Sequence, residues 1–549
     1  MNPIHHPSLT MKLVSILLSL PAAALTLLGQ TNAPESVPSG TNNAATNAST
    51  PAGTNAWEYA LPTPNTSSNL PGVETPPVTE APNARHLSLQ DCIQLTLQHN
   101  LDLQITRYNP QVALFNVREA YGAYDPILGF SAQHDHDESV PRILSTNITI
   151  PSLRSDDNTF NPSLTGSSPI GTTYALQGNA TDTYGNSPEL STGTASFNVT
   201  QPLLRNFWID SSRLQIRVAK NRLKYSEFGL KWEVFQVITL LEQAYFDLIY
   251  SRENVVVQQN AVELAARLVA ENRKRLEVGA LAPLDLESAE AQAAQSRAAV
   301  LAAQSQLGTQ ERVVKALITD NFAQWADLVL VPSGKLTDTH YLFNRQESWS
   351  KGLSQRPDLL QSKLNVEQQG IVLKYNRNQL FPELDVFGTY GYNGAGREFG
   401  DALYNVQQLN HRTYTYGAKI SIPLANTTAR NAYKSQKATV EQTILQLKQA
   451  EQNVMISIDN DIGTMQADYE QVLATRSARQ YAEAALNAEQ TKLQNGKSTV
   501  YTVLQMQRDL TAARGNEILA LDNYNKSVST LSRDEGTTLE RLGIDWQVK

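Results

Sequence analysis

Apolar residues recur every three or four positions along two long stretches of the chain, and neither stretch contains a proline. The first stretch runs from about 205 to 280 and the second from about 426 to 498. At 1.5 Å per residue, a helix of roughly 70 residues is on the order of 100 Å long. Helices of this length are typical of coiled-coil-like packing. The apolar positions are Phe235, Ile238, Leu241, Tyr245, Leu248, Val255, Val262, Ala265 and Val269, then Ile444, Leu447, Val454 and Ile458.

A different pattern, alternation with a period of two, predicts strands between the helical regions. It is clearest in residues 384–393 and 414–422, and shorter versions occur at 128–132 and 195–200. One face of each segment is apolar, with tyrosines in the two longer segments, and the other is mainly polar. This pattern is typical of a transmembrane β-barrel wall around a wet lumen. The edge of a soluble β-sandwich alternates in the same way, so the pattern alone leaves both interpretations open.

Four short motifs occur in the same order in each half of the chain, which indicates an internal duplication. The pairs are Asn100-Leu101-Asp102-Leu103 with Arg356-Pro357-Asp358-Leu359, Asp125-Pro126-Ile127-Leu128 with Phe381-Pro382-Glu383-Leu384, Gln201-Pro202-Leu203 with Ile422-Pro423-Leu424, and Leu276-Glu277-Val278-Gly279 with Leu493-Gln494-Asn495-Gly496. The first half is longer between its second and third motifs, which predicts an insertion between Phe130 and Thr194. This insertion, around 172–182, either extends the loops or adds a hairpin that alters the strand count.

The repeat divides the chain into five predicted segments. They are a signal-peptide segment at 1–33, a disordered linker rich in Pro, Ser, Thr and Asn at 34–85, a first repeat at 86–322, a connecting segment at 323–345, and a second repeat at 346–549. Within the first segment we expect translation to start at Met11. Each repeat is predicted to contain a leading helix (about 88–120 and about 346–380), strands (about 126–202 and about 383–423) and a long helix pair (about 205–320 and about 426–540).

Closure of the sheet constrains the assembly. A barrel needs about eight strands, more than the pair of hairpins that one chain offers. Lipid tolerates no unpaired sheet edge. Several copies must therefore share one barrel as a closed cyclic oligomer, with the long helices forming a coaxial tube. The fold class predicted is mainly α with transmembrane β, in duplicated halves.

Composition and charge exclude several function classes. The 549-residue chain has a net charge of −8 and shows no basic stripe for nucleic acid. Its single cysteine, Cys92, permits no intramolecular disulfide and no thiolate zinc cluster. His134-Asp135-His136-Asp137 places two histidines on one strand face, but we interpret it as a polar strand end.

No catalytic motif is recognisable. Gly394-Ala395-Gly396 lacks the lysine and the following helix of a phosphate-binding loop, and no nucleophile elbow or triad signature occurs. We therefore predict no enzyme activity, no cofactor and no metal site.

The ordered set of motifs resembles the TolC-type outer-membrane efflux and secretion proteins. The matching pieces are Leu87 to Cys92 with Asn100 to Leu103, Thr200 to Leu204, Arg275 to Glu287, and Leu493 to Leu504. The resemblance implies a homotrimer, a 12-stranded outer-membrane barrel, a periplasmic α-helical barrel, and docking to an inner-membrane pump or ABC transporter through a periplasmic adaptor protein.

The resemblance also implies a periplasmic mouth at the turns between the long helices. The best-known member of the family narrows this mouth with aspartates on the second-half tip, where this chain has Thr502 and Gln505, while Asp285 occupies the matching first-half place. These three residues are our gate candidates. The adaptor-docking candidates are the small and apolar tip residues Val278, Gly279, Leu281, Asn495 and Gly496.

The function expected from these features is a passive, gated exit duct across the periplasm and outer membrane, serving a tripartite efflux or type I secretion system. Its strands would contact outer-membrane lipid, and its cargo is not specified by the sequence. The alternative is a periplasmic coiled-coil tether or adhesin without a pore.

Overall fold

The computed structural model describes residues 83–145, 148–150, 152–185, 189–341 and 343–544. The predicted signal peptide and nearly all of the predicted linker lie outside these residues. In the first half the elements are β1 (Ala84–Leu87), α1 (Leu89–His99), α2 (Leu101–Tyr121), β2 (Ile127–Glu138), β3 (Arg142–Ser145), β4 (Ile148–Ile150), β5 (Arg154–Ser167), β6 (Thr173–Gly185), β7 (Leu190–Pro202), α3 (Ser211–Glu277) and α4 (Pro283–Ile318).

The connecting segment and the second half follow the same plan. Their elements are α5 (Phe322–Trp325), β8 (Val329–Pro332), α6 (Arg345–Gln355), α7 (Pro357–Asn378), β9 (Glu383–Gly396), α8 (Phe399–Gln407), β10 (Arg412–Ser421), α9 (Thr427–Gln494), α10 (Val500–Glu535) and α11 (Thr538–Arg541). The two long helices, α3 and α9, contain 67 and 68 residues, which confirms the interpretation of the proline-free stretches.

Three boundaries differ from the sequence prediction. Strand β1 pairs in parallel with β8, so ordered structure includes residues 84 and 85 of the predicted linker. The two leading helices are each broken once, at Asn100 and at Arg356, rather than continuous. The side chain of Asn100 caps α2 by accepting from the Leu103 N–H at 3.0 Å, and its amide donates to the Leu317 carbonyl at 3.1 Å. These tertiary bonds explain the break.

In both halves the leading helix is interrupted at the first of the four paired motifs. In the second half, Pro357 supplies the first residue of α7 and Arg356 is extended, as expected for a residue before proline. The other paired motifs precede β2 and β9, follow β7 and β10, and form the turns after α3 and α9. The internal duplication is therefore confirmed.

Six strands form one antiparallel sheet in the order β10-β9-β7-β6-β5-β2. The helices join this sheet at one end, here named the helical end, and the loops after β2, β6 and β9 lie at the opposite end, here named the distal end. Strands β5 and β6 are the predicted insertion, so it adds a hairpin to the wall. The described sheet thus has six strands, where a 12-stranded trimer would need four per chain.

The distal loops carry further structure. Strands β3 and β4 pair with each other in a separate two-stranded sheet. The expectation that no helix follows Gly394-Ala395-Gly396 was wrong, because α8 begins three residues later. This short helix packs on the sheet, where glycines of β7 and β9 leave room for it.

The helices next to the sheet repeat the order of its strands. Helix α2 packs on α3, α3 on α7, and α7 on α9. The helix that precedes the edge strand β2 and the helix that follows the edge strand β10 are therefore also the outer helices. Both present apolar residues to solvent in the single chain, including Ile105, Phe115 and Leu445. Among the described helices, none is both long and apolar enough to cross a bilayer.

The main apolar core lies where α1, α3, α4 and β8 meet. Most of the predicted apolar stripe of α3 is buried there, including Phe235, Ile238 and Leu241. In α9, Val454 and Ile458 are buried against α10, whereas Ile444 remains exposed. The stripe of α9 is therefore covered by its own chain only in its second part.

A buried ion pair fixes α11 to α3. Glu242 is fully buried, and the Arg541 guanidinium donates to its carboxylate, with one contact of 2.7 Å. Burial raises the pKa of Glu242, and the charge and hydrogen bond of Arg541 oppose that rise. The pair thus removes the cost of leaving a lone carboxylate in the core.

A second buried polar cluster joins the break before α7 to α9 and α10. Asp534 accepts hydrogen bonds from Ser457 and from Arg533, and Arg356 lies 3.6 Å away. Although burial opposes it, these partners lower the pKa of Asp534. Burial and the adjacent Asp534 charge raise the pKa of Asp461 from its ordinary value of 3.8 to about 7. The proton of this carboxyl pair therefore resides on Asp461, beside an ionised Asp534.

We expect Arg541→Ala to lower the free energy of unfolding by about 3 kcal/mol, because the Glu242 carboxylate loses its partner. Chemical denaturation followed by helical circular dichroism measures the loss. The matched control is Arg267→Ala, which breaks an exposed pair with Glu263 and should cost less than about 1 kcal/mol. Equal losses in the two variants would contradict this assignment, and adding Glu242→Gln to Arg541→Ala should recover part of the loss.

The Asp461 proton predicts a pH dependence of stability. The folded pKa is raised, so its contribution is complete below about pH 4 and is lost as the pH rises through about 7. The melting temperature should therefore be higher at about pH 5 than at about pH 8. Asp461→Asn should shrink this difference and Glu470→Gln, on the exposed side of α9, should leave it intact. A difference that Asp461→Asn does not alter would refute the raised pKa of Asp461.

Candidate functional site

The two faces of the six-stranded sheet differ in polarity, as the period-two pattern predicts. The strand register aligns apolar residues from all six strands on one face, here named the apolar face. These residues are Leu128, Phe130, Leu164, Leu176, Phe197, Val386, Tyr390, Tyr414, Tyr416 and Ile420. Most of them are exposed in the single chain, Tyr416 at 82% and Leu128 at 81%. A surface of this kind requires a nonaqueous neighbour.

The opposite face, here named the polar face, is lined by hydroxyl and amide side chains. Asn179 donates to Asn161 at 2.7 Å, Asn198 donates to Gln177 at 3.2 Å, and Thr389 donates to Asn198 at 2.7 Å. These bonds run across β5, β6, β7 and β9. The polar face is therefore a continuous hydrogen-bonded surface suited to contact with water.

The two candidate histidines lie at the distal end of the apolar face and are occupied by protein partners. His136 hydrogen-bonds to Asp156, which also accepts from Arg154 at 2.9 Å, and His134 contacts Asn158 at 2.9 Å. Within the residues that the structure describes, no group of three or more His, Cys, Asp or Glu side chains is placed to hold a metal ion. The interpretation of this motif as a polar strand end fits these contacts.

The long helices end in two turns that the structure brings side by side. Turn 278–282 joins α3 to α4, and turn 495–499 joins α9 to α10. Arg275 in the first hairpin donates to the Leu493 carbonyl in the second at 3.5 Å. Leu281 packs beside an apolar cluster that includes Leu493 and Val503. The predicted docking residues of both halves are therefore neighbours at the ends of the long helices that lie away from the sheet.

The two turns have the same backbone geometry. Gly279 and Gly496 adopt positive φ angles of 71° and 69°, a region in which glycine is favoured. In each turn the glycine N–H donates to a carbonyl three residues back, and the next N–H donates five residues back. Nothing lies within 4 Å of a Cβ built on either glycine. Both turns are open, with Val278 78% exposed beside the first glycine.

The gate candidates lie beside these turns, and two of them occupy equivalent places. Asp285 is the third residue of α4 and Thr502 the third residue of α10. Thr502 shares a hydrogen bond of 2.9 Å with the capping Thr499 hydroxyl. Gln505 lies one turn further along α10. Asp285 and Thr502 thus hold corresponding positions in the two hairpins, and Ser288 occupies the position of α4 that corresponds to Gln505.

Sequence reasoning missed two charged residues that contact Gln505. Its amide donates to Asp509 at 3.0 Å, and Arg508 donates to its carbonyl at 2.9 Å. Both Asp509 and Arg508 are exposed. The spacing of four residues between Gln505 and Asp509, one helical turn, was the available signal. The carboxylate of Asp509 therefore lies one helical turn after position 505, where the family resemblance implies an aspartate.

Comparison with known proteins matches residues 349–536 to the family described as outer membrane efflux protein. The chain is 22% identical over 363 residues to the outer membrane protein TolC of Vibrio cholerae, covering 64% of this chain and 78% of that protein. It is also 22% identical over 360 residues to the outer membrane efflux protein BepC of Brucella suis, covering 64% and 74%.

Solved structures show the same fold. VceC, an outer membrane protein of Vibrio cholerae, superposes with a TM-score of 0.61 at 18% identity, over 82% of this chain and 96% of that one. The outer-membrane channel OprN superposes with a TM-score of 0.61 at 15% identity, over 82% and 89%. The family match lies in the second repeat, and these superpositions extend over most of both repeats. Residues 349–536 therefore match the outer membrane efflux protein family, and most of the chain shares the fold of these outer-membrane channels.

Proposed function

We propose that three copies of this chain form a passive exit duct, the outer-membrane component of a tripartite efflux or type I secretion system. The family consists of outer-membrane channels rather than enzymes. Cargo would enter between the helical tips, pass along a tube of long helices, and leave through a shared β-barrel. Energy for transport would come from an inner-membrane pump or ABC transporter, coupled through a periplasmic adaptor.

The proposal rests on one observation: the edge strands of the sheet, β2 and β10, adjoin the outer helices of the helical layer, α2 and α9. Edge strand β2 leaves the helical end and edge strand β10 returns to it, so two neighbouring copies can pair these strands antiparallel. The same two boundaries carry the exposed apolar residues of α2 and α9. One set of contacts between copies would thus satisfy open backbone groups and cover apolar side chains together.

Closure of this kind assigns an environment to each face of the sheet. The apolar face would contact outer-membrane lipid, with Tyr390, Tyr414 and Tyr416 among its aromatic residues. The polar face would line the water-filled lumen. This arrangement places the helical end in the periplasm and the distal end at the cell surface.

The opposite end of the helices would form the gate and the docking surface. Asp285, Thr502 and Gln505 lie beside the turns and would narrow the mouth, with Asp509 adding a carboxylate next to Gln505. The open turns at Gly279 and Gly496 would let an adaptor pack closely against Val278, Leu281 and Asn495. Opening would come from sliding of packed helices.

The shared duct predicts that a charge on the α2 edge separates the copies. Phe115→Glu should yield a folded protein with the mass of a single chain in detergent, because a carboxylate cannot be buried between copies. Light scattering measures the mass, and planar bilayers report conductance, which should disappear. Asn116→Glu, at the adjacent exposed position, is the control and should stay assembled. A wild-type protein that gives a trimer without conductance steps would instead support the tether hypothesis.

The tip proposal predicts that Gly496→Pro impairs export while leaving the trimer and its membrane insertion intact. Proline fixes φ near −65° and has no N–H, so it can neither adopt the observed φ of 69° nor donate to the Leu493 carbonyl. Efflux by intact cells, compared with the amount of protein in outer-membrane fractions, measures the effect. Gly463→Ala, inside α9 with open space around it, should export normally. Normal export by Gly496→Pro would remove the docking role of this turn.

A further inference from the structure

The inserted hairpin β5–β6 is a structural part of the wall and not a loop laid over it. Its strands pair continuously with β2 on one side and β7 on the other. Leu164 and Leu176 continue the apolar face, opposite Leu128 and Phe197. Asn161 and Gln177 continue the polar face through the hydrogen bonds described above. A hairpin folded into the lumen would not preserve the sidedness of both faces.

The hairpin is also anchored at its helical end. Its turn, 168–172, packs against the segment that follows β7. Gly171 has a φ of 87°, and a Cβ at this position would lie 2.7 Å from the Asn206 carbonyl oxygen. Gln201 donates to the Ile170 carbonyl at 3.3 Å, and Ser167 donates to the Ala123 carbonyl at 2.9 Å. The turn is therefore built into the junction between sheet and helices.

At the distal end, α8 ties the hairpin to the rest of the sheet. The helix lies on the apolar face, over a seat made by glycines. A Cβ on Gly394 would lie 2.7 Å from the Val406 nitrogen, and a Cβ on Gly193 would lie 3.0 Å from the Val406 side chain. The Phe399 ring meets the Phe160 ring of β5 edge-on, with centroids 5.6 Å apart. One helix thus spans strands from both repeats and the insertion.

From these observations we infer that the hairpin Arg154–Gly185 widens the outer-membrane section to eighteen strands, so that its lumen admits bulkier hydrophilic molecules from the cell surface than the helical section beneath it does. The inference rests on the proposed trimer, since three copies of six strands give eighteen. The even number keeps β2 and β10 antiparallel across each junction. Barrel diameter grows roughly linearly with strand number, so the section would be about 1.5 times as wide as a 12-stranded one.

The helical section is not widened in the same way. Four helices per chain, α2, α3, α7 and α9, adjoin the sheet, and neither end of the inserted hairpin continues into a helix. The narrowest part of the path therefore lies among the helices. The polar-face residues of the hairpin are uncharged apart from Asp157, near the distal end. The widened section would therefore admit cargo by size and wetting and not by charge.

Removal of residues 154–185 tests the inference, because the deletion joins two ends on the same side of the sheet. Strand β2 would then lie next to β7, again antiparallel. Electron cryomicroscopy of the intact trimer should show eighteen strands, and the variant should show twelve, with the barrel diameter reduced by about a third. An intact trimer with twelve strands would overturn the inference whether or not the variant folds.

Polymer access from the cell surface provides the functional readout. In a Cys92→Ala background, Thr415→Cys places an exposed thiol on the polar face, and Tyr416→Cys places one on the apolar face as the control. Maleimide-linked polyethylene glycols of increasing mass should label Thr415→Cys up to a larger size in the full chain than in the deletion variant. They should not label Tyr416→Cys. Equal size limits in both forms would refute the widening.

The two failures can be told apart. If no trimer forms and neither thiol is protected or labelled in a side-dependent way, the shared duct itself is wrong. If the trimer forms, conducts and labels only at Thr415→Cys, but with twelve strands or with an unchanged size limit, the duct stands and the widening is wrong.

Discussion

The unpaired main-chain groups along strands β2 and β10 are the constraint on which the rest of the structure depends. A sheet whose apolar face needs lipid cannot leave two rows of N–H and C=O groups unsatisfied in that environment, because each orphan group costs several kcal/mol. A single chain cannot curl its six strands into a closed ring of sufficient size. The proposed association of copies would satisfy both edge strands at once.

The helical layer follows from the same constraint. Each edge strand adjoins an outer helix in the chain, so in the proposed trimer the contact that pairs the strands would also bring α2 of one copy to α9 of the next. Such a contact would cover Ile444 and Leu445, which are exposed in a helix whose second part is well buried. The Asp534 cluster lies within the second repeat, between α9, α10 and the break before α7. The Glu242–Arg541 pair instead joins α3 of the first repeat to α11 of the second.

Sequence reasoning recovered the features that local chemistry determines. The absence of proline and the spacing of residues such as Phe235 and Ile238 were enough for α3, and the paired glycines were enough for the tips. The sidedness of β9 and β10 was also evident, because each strand alternates strictly over about ten residues.

The features that were missed depend on distant partners. The break at Asn100 is stabilised by a carbonyl 217 residues away. The strand β5 was hidden because its distal part is polar on both faces, with Asp156 and Asn158 on the otherwise apolar side, so it does not alternate. The pKa of Asp461 is raised by burial and by Asp534, which lies 73 positions later and reaches it only through packing of α9 on α10. None of these contacts leaves a local pattern in the sequence.

The seat of α8 has a consequence for which kinds of variation this protein tolerates. Most packed surfaces are weakened when a side chain is shortened. Here the packing of α8 depends instead on the lack of a side chain at Gly193, Gly394 and Gly396. Adding even a methyl group would lift the helix, and with it the connection between inserted and original strands. Any substitution of these glycines introduces a larger side chain, so we expect every substitution at these positions to disturb the packing of α8.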